Sequence, residues 1–172
     1  TICDGGSVLI GGSPTSSTAG ANYSWDNVST LDNATLANPT ASPTSTTTYT
    51  VVVTHPNGCT SSDQVTVNVD VIPLADAGLD QTICEGEAVI LGTAAVAGNS
   101  YNWNNAASLN SSVLAQPLGT PLVTTTYTVT VTNAAGCTNT DDVTITVNPS
   151  PNVDAGADQA ICAGESITLG GS

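Results

Sequence analysis

Residues 124–148 read Thr-Thr-Thr-Tyr-Thr-Val-Thr-Val-Thr-Asn-Ala-Ala-Gly-Cys-Thr-Asn-Thr-Asp-Asp-Val-Thr-Ile-Thr-Val-Asn. Tyr127, Val129 and Val131 alternate with threonines, and so do Val143, Ile145 and Val147. A period of two places one set of side chains on each face of an extended strand. Threonine and valine favour strands over helices. The Asn133–Gly136 stretch between the two runs is a hairpin turn. Two antiparallel strands, each with one apolar and one hydroxyl-bearing face, are therefore expected here.

The same stretch occurs earlier in the chain. Thr46-Thr47-Thr48-Tyr49 matches Thr124-Thr125-Thr126-Tyr127, and Gly58-Cys59-Thr60 matches Gly136-Cys137-Thr138. The earlier turn, His55-Pro56-Asn57-Gly58, contains an Asn-Gly pair, the usual signal of a tight hairpin. Tyr23-Ser24-Trp25 returns as Tyr101-Asn102-Trp103, and Thr1-Ile2-Cys3 returns at Cys84 and again at Cys162. Asp76-Ala77-Gly78 returns as Asp154-Ala155-Gly156. The offset is 81 residues at the first cysteine and 78 from Tyr23 onward, so repeat 1 carries three extra residues between Gly11 and Ala21, expected in a loop. The expected units are residues 1–72, a repeat lacking its first strand, then 73–149, then the opening of a third repeat at 150–172. Residues 160–172 cannot bury their own apolar face and would need the rest of their domain.

Other strand signals fall in place around these. Glu87–Leu91 reads as a strand closed by Gly92, and Ser100–Trp103 as another with Tyr101 and Trp103 on one face. The Ser-, Pro- and Gly-rich stretch from Leu109 to Val123 leaves room for one irregular edge strand. Six or seven short strands per repeat, with a tryptophan on the third, describe tandem immunoglobulin-like β-sandwiches in a head-to-tail array, an all-β fold. Tyr23, Trp25, Tyr49, Tyr101, Trp103 and Tyr127 all fall where a side chain faces the core. Tyr127 and Tyr49 also stand where a tyrosine corner would place them.

Composition narrows the function. The 172 residues contain no Lys, Arg, Met or Phe, and 14 Asp and Glu against one His give a formal charge of −14. Without cations there is no route to displace phosphate counterions, so nucleic-acid binding of the usual kind is excluded. A basic membrane-surface patch and an arginine clamp are excluded equally. No apolar run approaches the length of a membrane span. The hydrophobic fraction is 40% and charged residues are only 8%, which is not a disordered composition. No G-x-S-x-G stretch occurs, and His55 is matched by Asn133 in the other repeat, so the chain is not expected to be an enzyme. The lack of lysine gatekeepers on edge strands leaves lateral pairing of neighbouring fibres open.

The pattern Asp-Ala-Gly-x-Asp-Gln-Thr-Ile-Cys-x-Gly, then Tyr-x-Trp, then Thr-Thr-Thr-Tyr-Thr-Val-Thr-Val-Thr, then Gly-Cys-Thr resembles the PKD-like and Ig-like repeats of giant surface adhesins that gliding Bacteroidota export through the type IX system. The WDFGDG-type stretch of ordinary PKD domains is replaced by Trp25-Asp26-Asn27 and Trp103-Asn104-Asn105. The resemblance implies an extracellular, cell-surface-attached stalk, a structural or adhesive segment with a role in gliding motility. Its partners would be adjacent repeats, neighbouring fibres or surface polysaccharide. The alternative is a spacer or carbohydrate-binding module of a secreted polysaccharide-degrading enzyme. An exposed row of aromatics would favour that alternative.

Cys3, Cys59, Cys84, Cys137 and Cys162 suggest disulfides in an oxidising compartment. No C-x-x-C pair is present, and one His cannot complete a zinc set. Two pairings stay open. Cys3–Cys59 and Cys84–Cys137 would bridge within repeats. Cys3–Cys137 would bridge between them. Topology leans to the second, because the two cysteine types sit at opposite ends of a sandwich, ~17–20 Å apart, beyond the ~7 Å Cα limit of a disulfide. Asp76, Asp80, Asp154 and Asp158 recur at the junctions. They are expected to cap local turns or, with Asp141, Asp142, Glu85 or Glu87, to hold calcium; no other cofactor is expected.

Overall fold

The computed structural model describes residues 1–12 and 19–170. The three-residue insertion expected between Gly11 and Ala21 falls largely on residues outside this set. The described elements are β1 (Ile2–Cys3), β2 (Val8–Leu9), β3 (Asn22–Trp25), β4 (Thr40–Ala41), β5 (Thr47–Thr54), β6 (Thr60–Val67) and β7 (Val69–Asp70) in the first repeat. The second holds β8 (Gln81–Cys84), β9 (Val89–Ile90), β10 (Ser100–Trp103), β11 (Leu118–Gly119), β12 (Thr125–Thr132) and β13 (Thr138–Asn148). The helical elements among the described residues are 3-10 turns at Val28–Thr30 and Ala106–Ser108. The fold is all-β and immunoglobulin-like.

The two alternating runs form the hairpin that their pattern requires. β12 and β13 pair antiparallel from Thr125↔Ile145 to Thr132↔Thr138, and β5 and β6 do the same from Thr47↔Val67 to Thr54↔Thr60. Tyr127, Val129, Val131, Val143 and Ile145 are fully buried, while the threonines between them are not. β10 adds on one side of β12, and β8 adds parallel to β13 on the other, giving the order β10-β12-β13-β8. The opposing layer is thinner than the sequence suggests. Of Glu87–Leu91 only Val89 and Ile90 pair, with Gly119 and Leu118 of β11. Prolines explain this: Pro117 and Pro121, like Pro39 and Pro43, lie fully buried and have no N–H to offer a ladder. The Leu109–Val123 stretch packs as core without forming regular sheet.

Each repeat has its own core. Val89, Leu91, Trp103, Tyr127, Val129, Val131, Val143, Ile145 and Ala77 form one; Ile10, Trp25, Ala41, Tyr49, Val51, Val53 and Val67 form the other. Tyr101 and Tyr23 are half-buried and pack against these clusters. The indole N–H groups find carbonyls across the sandwich: Trp103 Nε1 donates to Leu114 O at 2.9 Å and Trp25 Nε1 to Leu36 O at 3.0 Å. Tyr127 and Tyr49 do not form the expected corner onto backbone. Their hydroxyls pair with Ser108 Oγ and Thr30 Oγ1, each at 2.7 Å, at the end of the 3-10 turn.

The residues that replace WDFGDG build that turn. Asn27 and Asn105 take the left-handed conformation, φ 50° and 51°. Asparagine tolerates this region better than most residues. Their side-chain amides donate to Thr48 O and Thr126 O, while Asp26 and Asn104 accept the N–H of Thr50 and Thr128. The β5–β6 and β12–β13 hairpins also differ from a two-residue turn. Gly58 N donates to His55 O and His55 N to Cys59 O, and Asn133–Cys137 repeats both bonds. Only the glycine has positive φ, 89° at Gly58 and 86° at Gly136, so the loop is three residues and glycine closes it.

Residues 150–170 form no strand, and all are exposed. Ile161, Ile167 and Leu169 stand 52%, 39% and 78% exposed, which is the unburied apolar face the sequence predicts for an isolated repeat opening.

Candidate functional site: a covalent junction between repeats

The site with the most chemistry lies where the two repeats meet. β1 runs parallel to β7, pairing Ile2 with Val69 and Cys3 with Asp70. Ile2 N donates to Asn68 O, Asp4 N to Asp70 O and Gly6 N to Cys3 O, which turns the chain sharply after the cysteine. This holds Cys3 beside the strand that leads out of repeat 1. The hairpin of repeat 2 arrives from the other side with Cys137 just past its closing glycine.

The two sulfurs are bonded: Cys3 Sγ to Cys137 Sγ is 2.03 Å, with Cα atoms 5.7 Å apart and 134 residues between them in sequence. Cys137 is only 1% exposed, so the bond is sheltered on the hairpin side. Asn133 locks the hairpin onto the linker. Its Nδ2 donates to Val71 O at 2.8 Å, while its Oδ1 accepts Cys137 N at 2.9 Å and Ala135 N at 3.1 Å. Asn139 Nδ2 donates to the carbonyl of Pro73, itself buried, at 3.1 Å. One disulfide and two amide clamps thus fix the hairpin of repeat 2 to the exit strand of repeat 1.

The within-repeat alternative does not form. Cys59, Cys84 and Cys162, named from the sequence as disulfide candidates, are exposed thiols here. The reason is register. The bond joins the opening cysteine of one repeat to the hairpin cysteine of the next, and residues 1–172 contain only one pair in that relation. Cys84 nevertheless stands as Cys3 does: it pairs with Asn148 across parallel strands as Cys3 pairs with Asp70.

The junction aspartates are used by backbone. Asp76 Oδ1 accepts Gly78 N at 3.0 Å, Asp154 Oδ1 accepts Gly156 N at 2.8 Å and Asp80 Oδ1 accepts Thr144 N at 2.8 Å. Asp141 accepts Ala77 N at 2.8 Å, and Glu87 Oε2 accepts Cys84 N at 2.8 Å. Among the described residues no group of three or more Asp, Glu, Cys or His side chains is placed to hold a metal ion. Asp76, Asp80 and Asp154 each turn to their own backbone amide.

Sequence reasoning missed Asn133 and Asn139 as clamps and read the first only as a turn residue. The available signal was a difference: His55 and Ser61 occupy these positions in repeat 1, inside an otherwise repeated hairpin.

Residues 75–149 match the family model described as Ig-like domain CHU_C associated. The match supports the immunoglobulin-like fold for that segment, which is similar to domains of this type. No curated protein is detectably similar in sequence. Among solved structures, the insect immune protein hemolin is 14% identical, with a TM-score of 0.41 over 86% of this chain and 44% of its own. Murine CEACAM1b is 15% identical, with a TM-score of 0.38 over 87% and 95%. SGBP-B from the Bacteroides ovatus mixed-linkage glucan utilization locus, solved with a mixed-linkage heptasaccharide, is 14% identical, with a TM-score of 0.30 over 84% and 42%. The chain spans less than half the length of hemolin. At these scores the likenesses say nothing about what this chain binds.

Proposed function

We propose that the chain is a structural and adhesive segment of a long extracellular fibre or stalk attached to the cell surface, of the kind that serves gliding motility in type IX-secreting Bacteroidota. The observation that carries this reading is the Cys3–Cys137 bond. It fastens one sandwich to the next and removes the hinge that a Pro-containing linker would otherwise form. A disulfide of this kind also suits an oxidising, extracellular compartment. The hydroxyl-rich outer faces of β12 and β13 and the uniformly acidic surface keep a thin fibre hydrated and apart from its neighbours at low salt. The segment acts through length, stiffness and surface chemistry. It is assigned no catalytic role, no resident cofactor, no nucleic-acid partner and no membrane insertion of its own. Adjacent repeats are its first partners, and neighbouring fibres and surface polysaccharide are the candidates beyond them.

The spacer or carbohydrate-binding alternative loses the feature that would favour it. Trp25, Trp103, Tyr49 and Tyr127 are buried, and no exposed aromatic row is formed among the described residues. The test is an antibody raised against residues 75–149 and applied to intact cells of the source organism. Surface filaments labelled along their length are expected, and they should vanish when the gene is deleted. Label confined to a secreted enzyme in the medium would overturn the reading.

A further inference from the structure

The position of the bridge has a mechanical consequence. Cys3 lies two residues from Thr1, ahead of every other paired element except Ile2. Cys137 lies immediately before β13, the last strand of repeat 2. The loop closed between them holds the whole core of repeat 1 and all of the core of repeat 2 except Val143 and Ile145, which β13 contributes from outside it. We propose that this disulfide is a load shunt: tension along the chain crosses from Cys3 to Cys137, leaves along β13, and bypasses the strands β2 to β12 that lie inside the closed loop. The proposal deepens the stalk reading and depends on it for biological meaning.

The path through repeat 2 makes the shunt effective. β13 is an eleven-residue strand, already extended, set between β12 and β8. Both ends of the load act on this same strand, one at Cys137 and one beyond Asn148. Stretching an extended strand along its own axis requires no sliding against β12 or β8. Neither ladder has to be sheared or unzipped. In repeat 1 the load leaves at Cys3 before it reaches β2, so that core is not loaded either. The amide clamps of Asn133 and Asn139 keep the hairpin seated while tension passes.

The spacing extends to longer arrays. From Cys137 to Cys162 the chain runs 25 residues, and from Cys59 to Cys84 it runs 25 again. Where the same repeat and the same pairing continue, such segments alternate with disulfides along two covalent rails. The sandwich interiors then lie between the rails as unloaded rungs.

The test is single-molecule stretching of the whole chain tethered at its two ends. Fully extended chain measures ~3.3–3.6 Å per residue. With the bridge intact the covalent path is roughly 37 residues, or about 120–140 Å including the disulfide. The oxidised chain is expected to reach that limit with no unfolding step. Adding dithiothreitol under load passes two electrons and two protons to the bridge, giving two cysteine thiols and the cyclic disulfide of the reagent. Roughly 440–480 Å of hidden length should then be released. The Cys3→Ser variant should show domain-unfolding steps without reductant. The wild-type experiment with and without reductant stands even where that variant folds poorly. Unfolding steps in the oxidised wild type, or no gain in length on reduction, would overturn the proposal. The antibody experiment reads location and would be unaffected by either outcome, so the two readings fail separately.

Discussion

Among the described glycines, Gly92 leaves the least room for a side chain. Its φ is +72°, and a Cβ there would lie 2.3 Å from Ala115 O and 2.9 Å from Trp103 Cζ2. Its N–H also donates to Ala77 O at 2.8 Å, tying the domain entry to the core. Gly92→Ala combines a left-handed backbone with a clash against backbone and the central tryptophan. A loss of about 2–3 kcal/mol is expected in denaturant unfolding. Asp32 gives a pH prediction. It accepts the N–H of Thr40 at 2.8 Å and of Asn33 at 2.7 Å. The Thr40 bond, with help from Asn33 and against slight desolvation, holds its carboxyl below the usual carboxylate range. The stability this contributes is complete above the unfolded value of about 3.9 and is lost as pH falls through the lower folded value. Repeat 2 has Asn110 at this position, accepting Leu118 N at 2.9 Å with no charge to titrate. Asp32→Asn should therefore flatten the acid limb of the melting-temperature profile. An unchanged acid limb would show that Asp32 is not its source.

At the scale of elements, the β5–β6 and β12–β13 hairpins and the 3-10 turns carry the architecture. Tyr127→Phe removes the hydroxyl that pairs with Ser108, at an expected cost of about 1 kcal/mol by thermal melting. The long strands were legible in the sequence because alternation of Val, Ile and Tyr with Thr has one structural meaning. The burial of Tyr127, Val129, Val131, Val143 and Ile145 follows that pattern residue by residue. The thin second layer was not legible. Pro39, Pro43, Pro117 and Pro121 look like loop residues, yet they fill the core, because burial of proline needs no donor while a ladder does. The clamp role of Asn133 was hidden for another reason. A turn asparagine normally bonds its own backbone, and Asn133 does that with Oδ1. Its free amide reaches Val71, a contact between residues 62 apart that local pattern cannot reveal.

For the whole molecule, the repeat determines which cysteines meet. The periodicity, the domain type and the two candidate pairings could be read from the chain. The choice between pairings required the three-dimensional ends of a sandwich. Closing a loop across 134 residues constrains the unfolded chain by about 4–5 kcal/mol in the entropic model. Reduction should lower the melting temperature accordingly, and Asn133→Ala should make the bridge easier to reduce while leaving each core intact. A backbone cut in the linker at 71–75 should leave one band on a non-reducing gel and two after reduction.

The central claim, that consecutive repeats are joined covalently, is tested most directly by mapping the cysteine-containing peptides of the oxidised chain. A protease that cuts at acidic residues suits it, since the chain offers no Lys or Arg. The account predicts one cross-linked species joining the Cys3 peptide to the Cys137 peptide, with Cys59, Cys84 and Cys162 alkylated as free thiols. Peptides joining Cys3 to Cys59, or Cys84 to Cys137, would contradict it and make each sandwich a self-contained unit on a hinged string.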